Sequence, residues 1–315
     1  MEALKPLIAI VGPTASGKTN VAIELAKRVK GEVISADSML VYRDMDIGTA
    51  KPTLEEMAGI PHHMIDIVNP NEEFSVATYQ SRVEELINQI IDRGNLPLLV
   101  GGTGLYIRSV IDHYDFTTAP KDDRLRECLK REAEQVGAAA MHKKLSEVDP
   151  QSAERLHPND LRRVIRALEV YYQTGKTIAE YQYKDQVEKP KYNLKMFGLT
   201  MDRQLLYQRI EQRVDLMMAR GLLTEVKELV EQYNGLGTAL QGLGYKEIIG
   251  YLKGEYSLPE AVEILKRNTR RFAKRQLTWF RADNRIFWIE MDRFENKKAV
   301  ANEIMKQMAG DFLTL

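Results

Sequence analysis

A parallel α/β sheet flanked by helices, of the P-loop NTPase-like kind and carrying a mainly helical insertion domain, is the fold class this sequence predicts. Three observations carry it. A short apolar run meets a glycine turn that opens into a helix-periodic stretch. The strand–helix–strand alternation then repeats as far as residue 100. Between about residues 115 and 195, strand-like runs give way to helical patterning.

Pro6–Val11 is rich in Ile, Leu and Val and runs straight into Gly12 and Pro13, which reads as a buried strand meeting a loop. Val21, Ala22, Leu25, Ala26 and Val29 then repeat at helical spacing, and Gly31 falls where a C-terminal cap is expected. Glu32–Ala36 is a second strand ending at Asp37. Val76, Tyr79, Val83, Leu86, Ile87, Ile90 and Ile91 draw one apolar helix face, with Ser75 as its N-cap and Gly94 as its end. Leu96–Val100 is the next strand. Strands alternating with helices in this way call for parallel pairing and right-handed crossovers.

Near Tyr114 the pattern changes, so residues 1–114 and 196–315 are expected to form the core domain and 115–195 the insertion. The insertion gathers Arg124, Arg126, Lys130, Arg131, Lys143, Lys144, Arg162, Arg163 and Arg166, with Tyr171, Tyr172, Tyr181, Tyr183 and Tyr192 nearby. From Asp202 onward the pattern is again mainly helical, broken by Gly235, Gly237, Gly242 and Gly244.

The 315 residues carry 45 Lys plus Arg against 45 Asp plus Glu, which excludes a wholesale basic coat protein and confines nucleic-acid contact to local patches. The one cysteine, Cys128, excludes a disulfide framework and fits a reducing compartment. The first apolar run is too short for a secretory signal, and no stretch approaches the roughly 20 apolar residues of a membrane span. A cytoplasmic protein, monomeric by default and with no membrane or protein partner, is expected.

Gly12, Pro13, Thr14, Ala15, Ser16, Gly17, Lys18 and Thr19 satisfy G-x-x-x-x-G-K-[ST] between a strand and a helix. Glycines let backbone N–H groups turn toward phosphate oxygens, the helix start adds a favourable dipole, Lys18 brings a charge, and Thr19 offers a hydroxyl to Mg²⁺. This identifies a di- or triphosphate ligand and says nothing of what it is attached to. Asp37 stands at the carboxyl edge of the same sheet, as a metal-holding carboxylate, a general base or a turn cap. Gly101-Gly102-Thr103-Gly104 returns to that edge after the strand at residue 100, with Thr103 offering a hydroxyl. His62, His63 and Asp66 are spaced poorly for a metal and read as structural or as supports behind a site's own contacts. Arg220 and Gly221 end a helix carrying Val214, Met217 and Met218. Lys266–Arg285 holds eight basic residues and one acid, Asp283, with Arg267, Arg270, Arg271, Lys274 and Arg281 on one helical flank and Leu265, Phe272 and Trp279 expected on the buried side. Such a stripe fits a polyanion, and tyrosines beside the Arg162–Arg166 cluster fit unpaired bases.

Taken in order, GPTASGKT, SADSMLVYRDMDIGTAKP, PHHMID, VGGTGLYI, HPNDLRRVIRALEVY, ARGLLTEV, LQGLGYKE and RRFAKRQLTWFR resemble the bacterial tRNA dimethylallyltransferase family, from Ala9 to about Arg281. The resemblance implies transfer of a five-carbon prenyl group from dimethylallyl diphosphate to the exocyclic amine of the adenosine 3′ of the tRNA anticodon. It implies that Gly12–Thr19 holds the diphosphate with Mg²⁺ on Thr19, that Asp37 is the general base, that Thr103 meets the leaving oxygen, and that Arg220 adds a cation. It also implies tRNA contacts from Asp37, Ser38, Met39 and Leu40, from Arg126, Arg162, Arg163 and Arg166, and from Gln241, Gly242, Leu243, Gly244, Tyr245 and Lys246. Leu40 stands where the family pattern usually shows Gln. Two rivals are a small-molecule kinase, which leaves the basic insertion unexplained, and an RNA-binding module with a vestigial loop, which leaves Lys18 and Thr19 beside Asp37 unexplained.

Overall fold

In the computed structural model, residues 4–113, 122–178, 180, 190–233, 237 and 239–309 are described. The chain divides into two units, Met1–Ile111 with Lys191–Leu315, and Asp112–Pro190. The expected boundary at Tyr114 lies outside the described residues.

The first unit is built on six parallel strands in the order β3-β2-β4-β1-β5-β6. In chain order come β1 (Pro6–Val11), helix α1 (Lys18–Val29), β2 (Gly31–Ser35), the one-turn α2 (Leu54–Met57), β3 (His62–His63), α3 (Val76–Asp92), β4 (Leu96–Gly101) and α4 (Gly104–Ile111). β5 (Asn193–Thr200), α8 (Arg203–Ala219), α9 (Leu222–Gln232), α10 (Tyr245–Leu252), α11 (Leu258–Arg281), β6 (Ile286–Glu290) and α12 (Lys297–Met308) complete it. The central strand β1 pairs with β4 from Ile8 opposite Leu98 and with β5 from Pro6 opposite Asn193.

Strand periodicity distributes β1 between two cores. Leu7, Ala9 and Val11 face Tyr79, Val83, Ile87 and Val110 of α3 and α4, whereas Ile8 and Ile10 face Val21 and Leu25 of α1 and Val300 and Ile304 of α12. All five are fully buried. A strand covered on both faces must be apolar throughout, which is why Pro6–Val11 shows no alternation. A third core joins residues 41–68 to α9, α10 and the start of α11 through Val41, Met45, Val226, Tyr245 and Leu265.

Several expectations change. Lys30, at φ 48°, caps α1 by donating its N–H to Ala26 O. Gly31 instead opens β2, where a Cβ would lie 3.2 Å from Ala26 Cα of α1 and 3.0 Å from Leu98 Cδ1, so the glycine eases a close helix–strand approach. Strands β5 and β6 fall where helix or insertion was expected. The first begins with half-buried Asn193, Leu194 and Lys195, which mask the buried Met196–Leu199. On α11 the buried set is Ala261, Leu265, Ala273, Gln276 and Phe280 rather than a seven-residue series, and Trp279 is 41% exposed. The straight 3.6-residue period sets that stripe. Among the described residues no helix is long and apolar enough to cross a membrane.

The second unit contains α5 (Asp123–Val148), broken at Gly137 where φ is 82°, α6 (Pro150–Arg155) and α7 (Leu161–Thr174). Leu129, Met141, Leu145, Val164 and Leu168 form its core.

Candidate active site at the carboxyl edge of the sheet

The phosphate-type loop is shaped by three residues of positive φ, Gly12 at 142°, Ala15 at 64° and Gly17 at 89°. At Gly12 a Cβ would stand 2.4 Å from the carbonyl oxygen of Leu199, a backbone atom that cannot yield. Lys18 donates from Nζ to Pro13 O at 2.6 Å inside the loop. Burial lowers its amine to about 7, against the opposing pull of Asp37 and with the help of nearby Arg213. Ser16 Oγ is buried and has no partner among the described residues.

Asp37 and the GGTG turn arrive from the adjoining strands β2 and β4. Asp37 Oδ1 accepts the N–H of Met39 at 2.9 Å, and Thr103 Oγ1 accepts the N–H of Ser38 at 3.1 Å. A Cβ on Gly101 would stand 2.0 Å from Ala36 O, so the two strand ends close on each other only through glycine. Gln276 of α11 joins the turn to the loop: its Oε1 accepts the N–H of Thr14 at 2.8 Å, while its Nε2 donates to Gly102 O at 2.9 Å.

Two cavities meet here. The larger, about 850 Å³, takes in the loop from Thr14 to Thr19 together with Asp37, Lys51, Arg209 and Arg220. The smaller, about 330 Å³, has Met39, Ile210, Val214, Leu243, Leu265 and Phe272 in its walls, with Thr103. Thr14, Asp37 and Arg213 border both. Arg213 reaches from α8 to donate to Thr14 Oγ1 at 3.4 Å, and burial lowers its guanidinium from the usual arginine range. A chamber carrying the loop with Lys18, Lys51, Arg209 and Arg220 therefore opens beside one walled largely by apolar side chains, with a carboxylate at their junction.

The structure brings Asp37, Thr103 and all of Gly12–Thr19 together, and it sets Arg220 at the exposed outer part of the larger cavity. Ser38 and Met39 border the smaller cavity and Leu40 the larger. Of the 241–246 segment, Gln241 and Lys246 are exposed, Leu243 is half-buried, and Gly242 and Gly244 are buried. Tyr245 is fully buried, so its ring anchors the segment and does not reach the surface. In the second unit Arg162 and Arg163 are exposed. Arg126 and Arg166 instead lie on the fully buried Glu169, at 2.7 and 3.1 Å, and their charge is largely committed to it. Tyr192 is buried rather than free to stack, and Tyr181 and Tyr183 lie outside the described residues. The histidines are structural: His62 Nδ1 contacts Ile60 O, and His63 Nε2 contacts Glu32 at 2.6 Å.

Arg213 and Gln276 were not foreseen. Each left a trace, because a charged or amide side chain falls within the apolar period of its helix, next to Ile210 and Val214 in one case and between Ala273 and Phe280 in the other. Polar groups on a buried face call for a partner, and here the partners are the loop and the turn.

The family model described as IPP transferase matches residues 40–283. A tRNA dimethylallyltransferase of Pelotomaculum thermopropionicum is 52% identical over 97% of each chain, and that of Desulforudis audaxviator is 55% identical over 95% of this chain and 96% of its own. The solved full-length tRNA isopentenylpyrophosphate transferase of Bacillus halodurans superposes with a TM-score of 0.74 at 48% identity, covering 98% of this chain and 97% of its own. A eukaryotic dimethylallyltransferase crystallised acting on tRNA gives a TM-score of 0.80 at 31% identity, covering 96% and 80%. With both the sequence and the parallel sheet shared along nearly its whole length, the chain belongs to the IPP transferase family.

Proposed function

We propose that this chain transfers the dimethylallyl group of dimethylallyl diphosphate to the exocyclic amine of the adenosine 3′ of the tRNA anticodon, releasing diphosphate. The observation that carries the reading is the junction of the two cavities at Asp37, one lined by the glycine–lysine loop and the other apolar and bordered by residues 241–246. The named activities of the relatives point the same way.

In the reaction the bond from the donor's first carbon to the bridging oxygen breaks, and a bond from the adenine nitrogen to that carbon forms. The amine proton goes to the Asp37 carboxylate, which helps a weakly nucleophilic aromatic amine. The growing charge on diphosphate is met by loop amides, Lys18 and Arg213. Thr103 Oγ1 accepts the Ser38 N–H and donates its own proton to Ser38 Oγ over a long 3.4 Å, a bond that the leaving oxygen would replace. Arg220 is assigned a secondary part as an outer cation.

Thr19 is exposed at the larger cavity, and no cluster of three His, Cys, Asp or Glu side chains forms a metal site among the described residues. That donor set fits Mg²⁺, which takes few protein ligands and completes its shell with phosphate oxygens and water. Bound on Thr19, the ion would help neutralise the leaving diphosphate.

An adenine reaches Asp37 only by leaving its stack, which calls for a firm grip on the anticodon arm. We assign that grip to Arg162 and Arg163 of the insertion domain, to residues 37–40, to Gln241, Leu243 and Lys246, and to the exposed Arg267, Arg271, Lys274, Arg275 and Arg281 of α11. The tRNA substrate is met in the cytoplasm, where we expect the chain to work. The test incubates the protein with Mg²⁺, unmodified tRNA and labelled dimethylallyl diphosphate, with labelled ATP and small acceptors in parallel. Label entering tRNA from the prenyl donor supports the reading; label passing only from ATP to a small acceptor replaces it with a kinase.

A further inference from the structure

One carboxylate away from the reacting groups is placed so as to shape the opening through which a base would enter. Glu225 of α9 is buried among the third core, yet both of its oxygens are fully engaged. Oε2 accepts the backbone N–H of Asp46 at 3.0 Å and of Ile47 at 2.6 Å, and Oε1 accepts the N–H of Gly48 at 3.0 Å and the hydroxyl of Tyr245 at 2.7 Å.

These four donors come from two neighbouring segments that both line the smaller cavity. Gly48 and Thr49 line it from one segment, and Gln241, Gly242, Leu243 and Lys246 from the other. The Tyr245 ring lies so close over Gly48 that a Cβ there would stand 2.5 Å from it, so the segments are held in contact as well as hydrogen-bonded. Both are tied down at their outer ends. Lys51 bridges Asp46 and Asp66, and Glu247 accepts the N–H of Gly244 at 2.9 Å and the amide of Asn268 at 2.8 Å. Glu225 is the link between them.

We infer that Glu225, acting through Tyr245, is a positioning residue that sets the spacing of the 46–49 and 241–246 segments and so the shape of the entry for the acceptor base. This rests on the tRNA reading given above. A carboxylate is the side chain that can do this, because all four partners are donors and an ionised carboxylate only accepts. An amide of the same shape would turn its NH₂ toward two of the four, leaving two buried donors unpaired.

The test uses Glu225→Gln and Tyr245→Phe in the full chain, with steady-state kinetics on tRNA, direct binding of dimethylallyl diphosphate, and thermal unfolding. Tyr245→Phe keeps the packed ring and removes one hydrogen bond, so it remains informative where Glu225→Gln fails to fold. Expected is a rise in KM for tRNA of roughly tenfold for Glu225→Gln and roughly threefold for Tyr245→Phe, with kcat and donor affinity within about twofold of the parent. Glu225→Asp, which keeps the acceptor but shortens its reach, should fall between the parent and Glu225→Gln. Tyr245→Phe folded, with an unchanged KM for tRNA, would overturn the inference. So would equal loss of donor and tRNA binding in either variant, which would mark a merely structural role. A parent protein that transfers no prenyl group to tRNA would sink the functional reading instead.

Discussion

Ser38 donates its backbone N–H to Thr103 Oγ1 at 3.1 Å, so the residue following the proposed base and the hydroxyl proposed to meet the leaving oxygen form one unit. Glycine at 101 allows that approach, since any side chain would strike Ala36 O. Base and leaving-group contact are thereby prealigned before either substrate arrives, which is where much of the advantage of a bound reaction lies.

Asp37→Asn keeps this frame, because the amide oxygen can still accept the Met39 N–H, but it cannot take up a proton. We expect transfer to fall by about 10²- to 10⁴-fold with tRNA and donor affinities largely kept. Single-turnover transfer alongside filter binding of tRNA would check this; parallel loss of binding would remove Asp37 from the role of base.

Lys18 makes donor binding depend on pH. Burial holds its amine at about 7 in the free protein, so it is charged below that value and neutral above it. Diphosphate favours the charged form, so binding above pH 7 takes up a proton and donor affinity declines as pH rises. Calorimetry at pH 8 in buffers of different ionisation enthalpy should detect the uptake. Lys18→Met should lower affinity and remove the part of the proton uptake that the donor's own titration does not explain.

Arg213 and Arg220 separate by depth. Arg213 is half-buried against the loop, and desolvation there lowers its guanidinium, while Arg220 is exposed at the end of α8. Removing a desolvated cation from a developing anion costs far more than removing a hydrated one. Arg213→Ala should therefore slow transfer by roughly 10²-fold, and Arg220→Ala by under about fivefold. The reverse order, measured at saturating donor, would shift the diphosphate toward the mouth of the cavity.

Local chemistry made the loop, Asp37 and the GGTG turn legible in the sequence, because each follows directly on an apolar strand whose end faces the ligand edge. Arg213 and Gln276 stand 199 and 262 positions from Thr14, which they touch, and no local pattern reports a contact of that separation. Arg220 is marked by the resemblance of ARGLLTEV to the family, whereas Arg213 lies inside a helix without a motif of its own. The expected tRNA contacts of Arg126 and Arg166 met the same difficulty. A run of arginines looks like an open basic face until a buried glutamate is found beneath it, and Glu169 is 43 positions from Arg126 although only three from Arg166 on the same helix. Strand β6 was legible in principle, since Ile286–Ile289 is β-branched and aromatic, but the long basic helix before it dominated the pattern.

At the far end of the sheet from the cavities, Glu32 offers a stability measurement independent of activity. Burial alone would raise its carboxyl, but hydrogen bonds from Arg93, Asn95 and His63 reverse this and hold it at about 2. A carboxyl depressed in the folded state stabilises fully above its ordinary value near 4.5 and loses that contribution as pH falls toward 2. Unfolding of the parent relative to Glu32→Gln should show a difference on the order of 3 kcal/mol at pH 7 that shrinks through this window.

Nucleoside mass spectrometry of tRNA incubated with the protein, Mg²⁺ and dimethylallyl diphosphate decides the matter. One adenosine per tRNA, the one 3′ of the anticodon, should gain a dimethylallyl group on its exocyclic nitrogen, and none should do so with Asp37→Asn. Prenylation elsewhere in the tRNA, or undiminished modification by Asp37→Asn, would contradict the assignment of this aspartate as the base facing an extruded adenine.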